Sequence, residues 1–181
     1  MLNILLLSAT DYEHNCKEIN GIPIHLTGIG KTNAGIQTTR LIQKYDPDIV
    51  INFGSCGNLR NYKLGEVLRV TSVVNDIDTK GFYNPPELFL PGKFKGVKCL
   101  TTDHMYDPSD KHLDSYSNKI NECDIVEMEL YSIVQSCILA EKIVYSYKWV
   151  SDDGSQDQWL KYAKLGFESF KEEIIKEFKI G

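Results

Sequence analysis

The chain has 181 residues, 42% of them apolar and 25% charged, with a net charge of -5. That length and balance suit one domain, residues 1–181, with a full hydrophobic core. No basic stripe is present for a nucleic-acid backbone and no apolar run is long enough for a bilayer, so neither nucleic acid nor membrane is an expected partner. The five cysteines are scattered, odd in number and free of any C-x-x-C pair. They argue against a disulfide framework and against a zinc site, and they suggest a reduced, cytoplasmic protein with no metal and no cofactor.

In chain order, Leu2 to Ala9 and Ile22 to Thr27 read as strands. Thr32 to Tyr45 has helical period, with Ala34, Ile36, Leu41 and Ile42 on one face and Pro47 as its stop. Asp48 to Phe53 is a continuous apolar run, as in a strand buried on both faces. Glu66 to Val74, Val97 to Thr101, Asp124 to Met128 and Ile143 to Val150 are further strands. Met128 to Glu141 is an apolar helix. A last helix is expected from Gln158 to Phe178, its stripe formed by Leu160, Ala163, Phe167, Phe170, Ile174 and Phe178. Lys80 to Lys95, rich in glycine, proline and aromatics, reads as an ordered loop. The fold class is α/β, a mixed sheet flanked by helices.

Four segments carry candidate chemistry, each at an expected strand end, where ligands of open α/β sheets collect. Gly28 to Ala34 (GIGKTNA) combines glycines with a helix start, which offers free amides; taken alone, it is better explained as a tight strand-to-helix turn. Gly54 to Leu59 (GSCGNL) follows the DIVINF strand with small residues against which a flat ring could lie. A covalent role for Ser55 or Cys56 needs a histidine base, and the histidine spacing offers none. Val126 to Leu130 (VEMEL) sets two carboxylates around a methionine; a carboxylate accepts hydrogen bonds from paired sugar hydroxyls, while helix N-termini also favour acids for the dipole alone. Ser151-Asp152-Asp153-Gly154 is good turn chemistry or a general acid at a strand end.

Together, GIGKTNA at 28–34, INFGSCGNL at 51–59, GEVLRV at 65–70, VEMEL at 126–130, VSDD at 150–153 and ILLLSATDYE at 4–13 resemble the nucleoside phosphorylase superfamily. They look closest to its 5′-methylthioadenosine/S-adenosylhomocysteine nucleosidase branch. The resemblance implies a hydrolase that cleaves the N-glycosidic bond of an adenine nucleoside and acts as a homodimer on a small-molecule substrate. It implies that Glu13, with Glu127 nearby, activates the attacking water and that Asp152 protonates the purine at N7, supported by Ser151. Glu129 would bind the ribose hydroxyls and Met128 would lie beneath the sugar. Ser55 and Gly57 would flank sugar and base, and Met105 and Tyr106 would surround the base.

The chain departs from that pattern in three places. The region between Glu13 and Ile22 is abbreviated, the segment after Asp153 is short, and Lys148 stands where arginine is usual, which loses the planar fork. A phosphorolytic relative is the rival reading. Phosphorylases of the superfamily commonly carry arginine at the position of Asn52, and Ser8 to Asn15 contains neither glycine nor arginine for a phosphate segment. A nucleoside-binding protein without catalysis is the second alternative, and futalosine-type nucleosides are alternative substrates.

Overall fold

The computed structural model describes residues 2–77, 86–92, 96–109 and 117–181. Among the described residues, nine strands form one mixed sheet: β1 (Ile4–Ser8), β2 (Glu18–Ile19), β3 (Ile22–Leu26), β4 (Ile49–Asn58), β5 (Val67–Asn75), β6 (Glu87–Phe89), β7 (Val97–Thr101), β8 (Ile125–Glu127) and β9 (Ile143–Asp152), and five helices accompany them: α1 (Lys31–Tyr45), α2 (Ser117–Glu122), α3 (Leu130–Leu139), α4 (Gln156–Tyr162) and α5 (Phe167–Phe178). A short 3-10 turn covers Asp11–Glu13. Among the described residues no helix is long and apolar enough to cross a membrane.

The apolar runs are strands because the sheet is covered on both faces. In β1, Leu5 and Leu7 pack toward α1 and α3, with Ala34, Ile42 and Val134, while Leu6 between them packs toward α5. That alternation is the two-residue period of a strand. The second layer is aromatic: Phe53 stacks on Phe170 at 4.5 Å between ring centroids, and Trp149, Tyr147 and Phe167 surround them. Full burial of such a ring contributes about 1.5–3 kcal/mol.

β4, β9, β5, β7 and β8 pair in a ring, closing this part of the sheet into a small barrel. β4 is long because it serves two neighbours along one edge. Its residues Ile49 to Asn52 pair with β1, and Gly57 and Asn58 pair with β8. Between them a stretch of that edge has no strand beside it among the described residues.

Several expected boundaries shift. GSCGN was expected to follow a strand and is itself strand, because β9 pairs with β4 as far as Gly57. The single helix expected at 158–178 is two. Trp149 fills the break: its Nε1 donates to the Ala163 carbonyl at 2.7 Å, and a Cβ on Gly166 would lie 2.3 Å from the Trp149 Cβ. Leu160, expected in the buried stripe, is exposed. α1 ends before Pro47, with Asp46 in the left-handed conformation and its N–H on the Ile42 carbonyl. Within the expected loop 80–95, Glu87–Phe89 is a strand on β5, and its Phe89 is exposed; Phe82, Tyr83 and Phe94 lie outside the described residues. β2, α2 and the 3-10 turn have no counterpart in the sequence reading.

Candidate active site

A cavity of about 280 Å³ opens where the barrel meets the rest of the sheet. Glu13, Ser55, Gly57, Met105, Tyr106, Glu127, Met128, Glu129 and Asp152 all line it. Ser151 is the one expected site residue that does not, and it stands directly behind Asp152.

Glu13 occupies the gap beside β4. The backbone N–H of Ser55 and its hydroxyl both donate to Glu13 Oε1, each at 2.7 Å. Ser55 lies in the stretch of β4 edge between its β1 and β8 partners, so the carboxylate takes the place of a neighbouring strand. The Ser8 hydroxyl lies 3.0 Å from Oε2. A side chain at Gly54 would fill this space, since a Cβ there would lie 2.7 Å from Oε1. The Ser55 hydroxyl is also held by Trp159, whose Nε1 donates to it at 2.9 Å. Its partners are thus a carboxylate and an indole, and no histidine is among them. Burial drives the neighbouring Cys56 thiol far above its usual pKa, which leaves it un-nucleophilic.

The VEMEL segment bends from β8 into α3. Glu127 Oε2 accepts from the N–H groups of Glu129 (2.9 Å) and Leu130 (2.8 Å), which are free donors at the helix start. Lys148 Nζ lies 3.2 Å from the same oxygen, and the Thr101 hydroxyl donates to Oε1 at 2.5 Å. Both partners of the Glu127–Lys148 pair are buried. Burial alone would lower the Lys148 pKa, but the carboxylates of Glu127, Glu129 and Glu13 outweigh it and keep the ammonium charged. Glu129 is less well provided. Only the Gly30 N–H donates to it among the described residues, at 2.8 Å to Oε1. Burial, and next the charge of Glu127, hold its carboxyl well above the usual range.

Asp152 closes the opposite wall. In the β4–β9 register Cys56 faces Val150 and Gly57 faces Asp152, so Ser151 is an extra residue in β9. Such a bulge re-aims the side chains around it. Here the Ser151 hydroxyl lies behind the wall, 2.7 Å from Asp152 Oδ2 and 3.2 Å from the Cys56 carbonyl. The Gly154 N–H donates to Oδ1 at 2.9 Å. Burial outweighs both hydrogen bonds and raises the carboxyl above its ordinary value. Gly57 keeps the space in front open: a Cβ there would lie 2.9 Å from Val126 Cγ1 and 3.3 Å from Asp152 Oδ1.

A family model described as the phosphorylase superfamily matches residues 18–114. The chain belongs to that superfamily. Among curated members, a 5′-methylthioadenosine/S-adenosylhomocysteine nucleosidase of an Exiguobacterium species is 48% identical over 171 residues, covering 81% of this chain and 71% of the relative. The nucleosidase of the same name from Bacillus cereus is 29% identical over 187 residues, covering 84% and 80%. The Neisseria meningitidis nucleosidase, solved in complex with methylthio-immucillin-A, superposes with a TM-score of 0.79 at 21% identity, over 96% of this chain and 97% of that one. A futalosine hydrolase of Helicobacter pylori superposes with a TM-score of 0.77 at 15% identity, over 96% and 97%. At these identities the solved structures speak for the fold.

Within the superfamily's fold the sequence reading missed two walls of this cavity, Trp159 and Gln156 of α4, and the contribution of Thr102, while Ile29 lies in the GIGKTNA segment it singled out. An isolated tryptophan in an amphipathic stretch gives no sign of facing a ligand. Lys31 of the GIGKTNA segment is committed away from the cavity: it pairs with Asp76 and, at 3.0 Å, with Asp103. Chemically the cavity offers an acid with a raised pKa on one wall, a hydrogen-bonded carboxylate on another, and Met128 and Glu129 between their segments.

Proposed function

We propose that the protein hydrolyses the N-glycosidic bond of an adenine nucleoside, with 5′-methylthioadenosine and S-adenosylhomocysteine as the leading substrates. The carrying observation is the pair of unlike carboxylates, Asp152 and Glu13, on one nucleoside-sized cavity. Asp152 gives its proton to N7 of the purine as the C1′–N9 bond breaks. Glu13 takes a proton from the water whose oxygen attacks C1′. The two charges that develop, negative on the base and positive on the sugar, are thereby met by separate groups. Glu129 accepts hydrogen bonds from the ribose hydroxyls, and Met128 packs against the sugar. Ser55 orients Glu13, Ser151 supports Asp152, and Gly57, Met105 and Tyr106 receive the base. Glu127 serves the site by holding Lys148 and capping α3; its four donors favour this over contact with water.

The names of the curated relatives support hydrolysis over phosphorolysis, and so do the cations. Arg69 pairs with Glu177, and Arg60 donates to the carbonyls of Leu59, Ile120 and Asn121. Arg40 is exposed on α1. Neither these nor Lys31 lines the cavity, whereas phosphate needs cationic and amide donors. Residues 1–181 act as one domain, in the cytoplasm, as a homodimer; the five unpaired thiols fit that location. The test is adenine release over a panel of nucleosides with and without phosphate. Release independent of phosphate is expected. Release that requires phosphate would replace this reading with a phosphorylase, and binding without release would leave a binding protein.

A further inference from the structure

We propose that Trp159 is a positioning residue for Glu13, acting through the hydroxyl of Ser55; the assignment rests on the hydrolase reading above. The indole N–H is a donor only, and a carboxylate oxygen, when ionised, is an acceptor only. The Ser55 hydroxyl lies between them, 2.9 Å from Trp159 Nε1 and 2.7 Å from Glu13 Oε1. It has one proton, which cannot go to the indole. The chain therefore has a single polarity, with the indole donating to Ser55 and Ser55 donating to Glu13. Each bond polarises the next, so the terminal bond to the carboxylate is stronger than a lone hydroxyl would make. Without the indole, water or a substrate hydroxyl would compete for Ser55 and could turn its proton away.

Two further contacts extend the hold. The Trp159 ring lies 6.1 Å from that of Tyr12, the residue before Glu13 on the same 3-10 turn. Trp159 belongs to α4, which begins four residues beyond Asp152: the Gly154 N–H binds Asp152, and Ser155 caps the helix by accepting from the Gln158 N–H at 3.4 Å. α4 has no buried residue of its own. A short helix thus runs from beside the proton donor of the reaction to the support of its water-activating group.

The experiment is a double-mutant cycle on nucleoside cleavage with Trp159→Phe and Ser55→Ala. Phenylalanine keeps a ring in the wall and removes the donor. Trp159→Phe is expected to lower kcat about 3- to 10-fold, the worth of one neutral hydrogen bond, with a smaller change in KM. In the Ser55→Ala background the same substitution should have almost no effect. An unchanged kcat, or an equal loss in both backgrounds, would overturn the assignment and make Trp159 a cavity wall only. Wild-type turnover in the same assay separates this outcome from failure of the hydrolase reading, which absence of cleavage would signal. Should Trp159→Phe not fold, the indole ¹H–¹⁵N resonances decide on their own. Glu13→Gln should move that of Trp159 more than that of Trp149, which is buried against Ala163; equal or absent movement would overturn the relay.

Discussion

Glu13 and Asp152 are both buried and line the same cavity, yet the fold treats them differently. Glu13 fills an open edge of β4, where an unpaired strand amide and a hydroxyl aim at one oxygen and a second hydroxyl lies near the other. Asp152 ends a bulged strand, where desolvation exceeds what one hydroxyl and one amide return. The barrel's closing seam supplies donors at one wall, and the bulge supplies burial at the other. Two carboxyl groups thereby meet different surroundings on one cavity, in keeping with the separate roles proposed for them.

The sharpest way to break the comparison is Asp152→Asn. An amide cannot deliver a proton, so turnover should fall about 10²- to 10⁴-fold. Stability should not fall with it. A carboxyl raised in the folded state binds more protons there than in the unfolded chain, so its contribution is lost as pH rises through the raised pKa. The amide has no such loss, and thermal melts above that window should show a midpoint at or above the wild type. Near-wild-type cleavage would remove Asp152 from its role. Glu13→Gln comes next, with an expected loss of about 10²-fold in kcat at nearly constant KM, because the group acts on the nucleophile in the transition state. Loss of binding with kcat retained would make Glu13 a ligand contact.

The location of the site is legible in the sequence. Through the family they resemble, the motifs point to Glu13, Glu127, Glu129 and Asp152, all of which line the cavity, and the acid and base roles implied for them are part of the proposal above. What the motifs could not convey was supply. The partners of Glu13 come from residues 8 and 55, the latter held in turn by residue 159, and they meet only because β4 changes neighbours at mid-length. Lys148 reads as a lost arginine fork, but its burial against three carboxylates is a property of the closed barrel. The break between α4 and α5 was invisible because the apolar period runs straight through it; Trp149, on another element, decides it.

A third substitution tests the group between the two walls. Glu129→Ala should weaken cleavage of ribosides about 10-fold or more, the value of hydrogen bonds to a carboxylate, and 2′-deoxyribosides less, since one of the hydroxyls it would bind is missing there. Equal damage to both substrates would place Glu129 elsewhere in the reaction.

The smallest effect is expected behind Asp152. Ser151 has one proton and two acceptors within reach, the Asp152 carboxyl and the Cys56 carbonyl. When Asp152 is ionised, the Ser151 hydroxyl donates to it. When Asp152 is protonated and no purine is bound, its O–H can donate to Ser151, which turns its own proton to Cys56; with a purine in place that O–H faces N7 instead. Ser151 therefore serves both states, but the bond to the ionised form is charge-assisted and the stronger one. Its net effect is to lower the carboxyl, against the larger rise caused by burial. Ser151→Ala should thus raise the Asp152 pKa further. Activity requires the protonated form, so the alkaline limb of kcat against pH should move upward, by less than about one pH unit. Because the protonated state also loses its acceptor, the plateau rate should change little. A downward move of that limb would mean that Ser151 chiefly stabilises the acid form, and the contrast with Glu13 would then rest on hydrogen bonding as well as on burial.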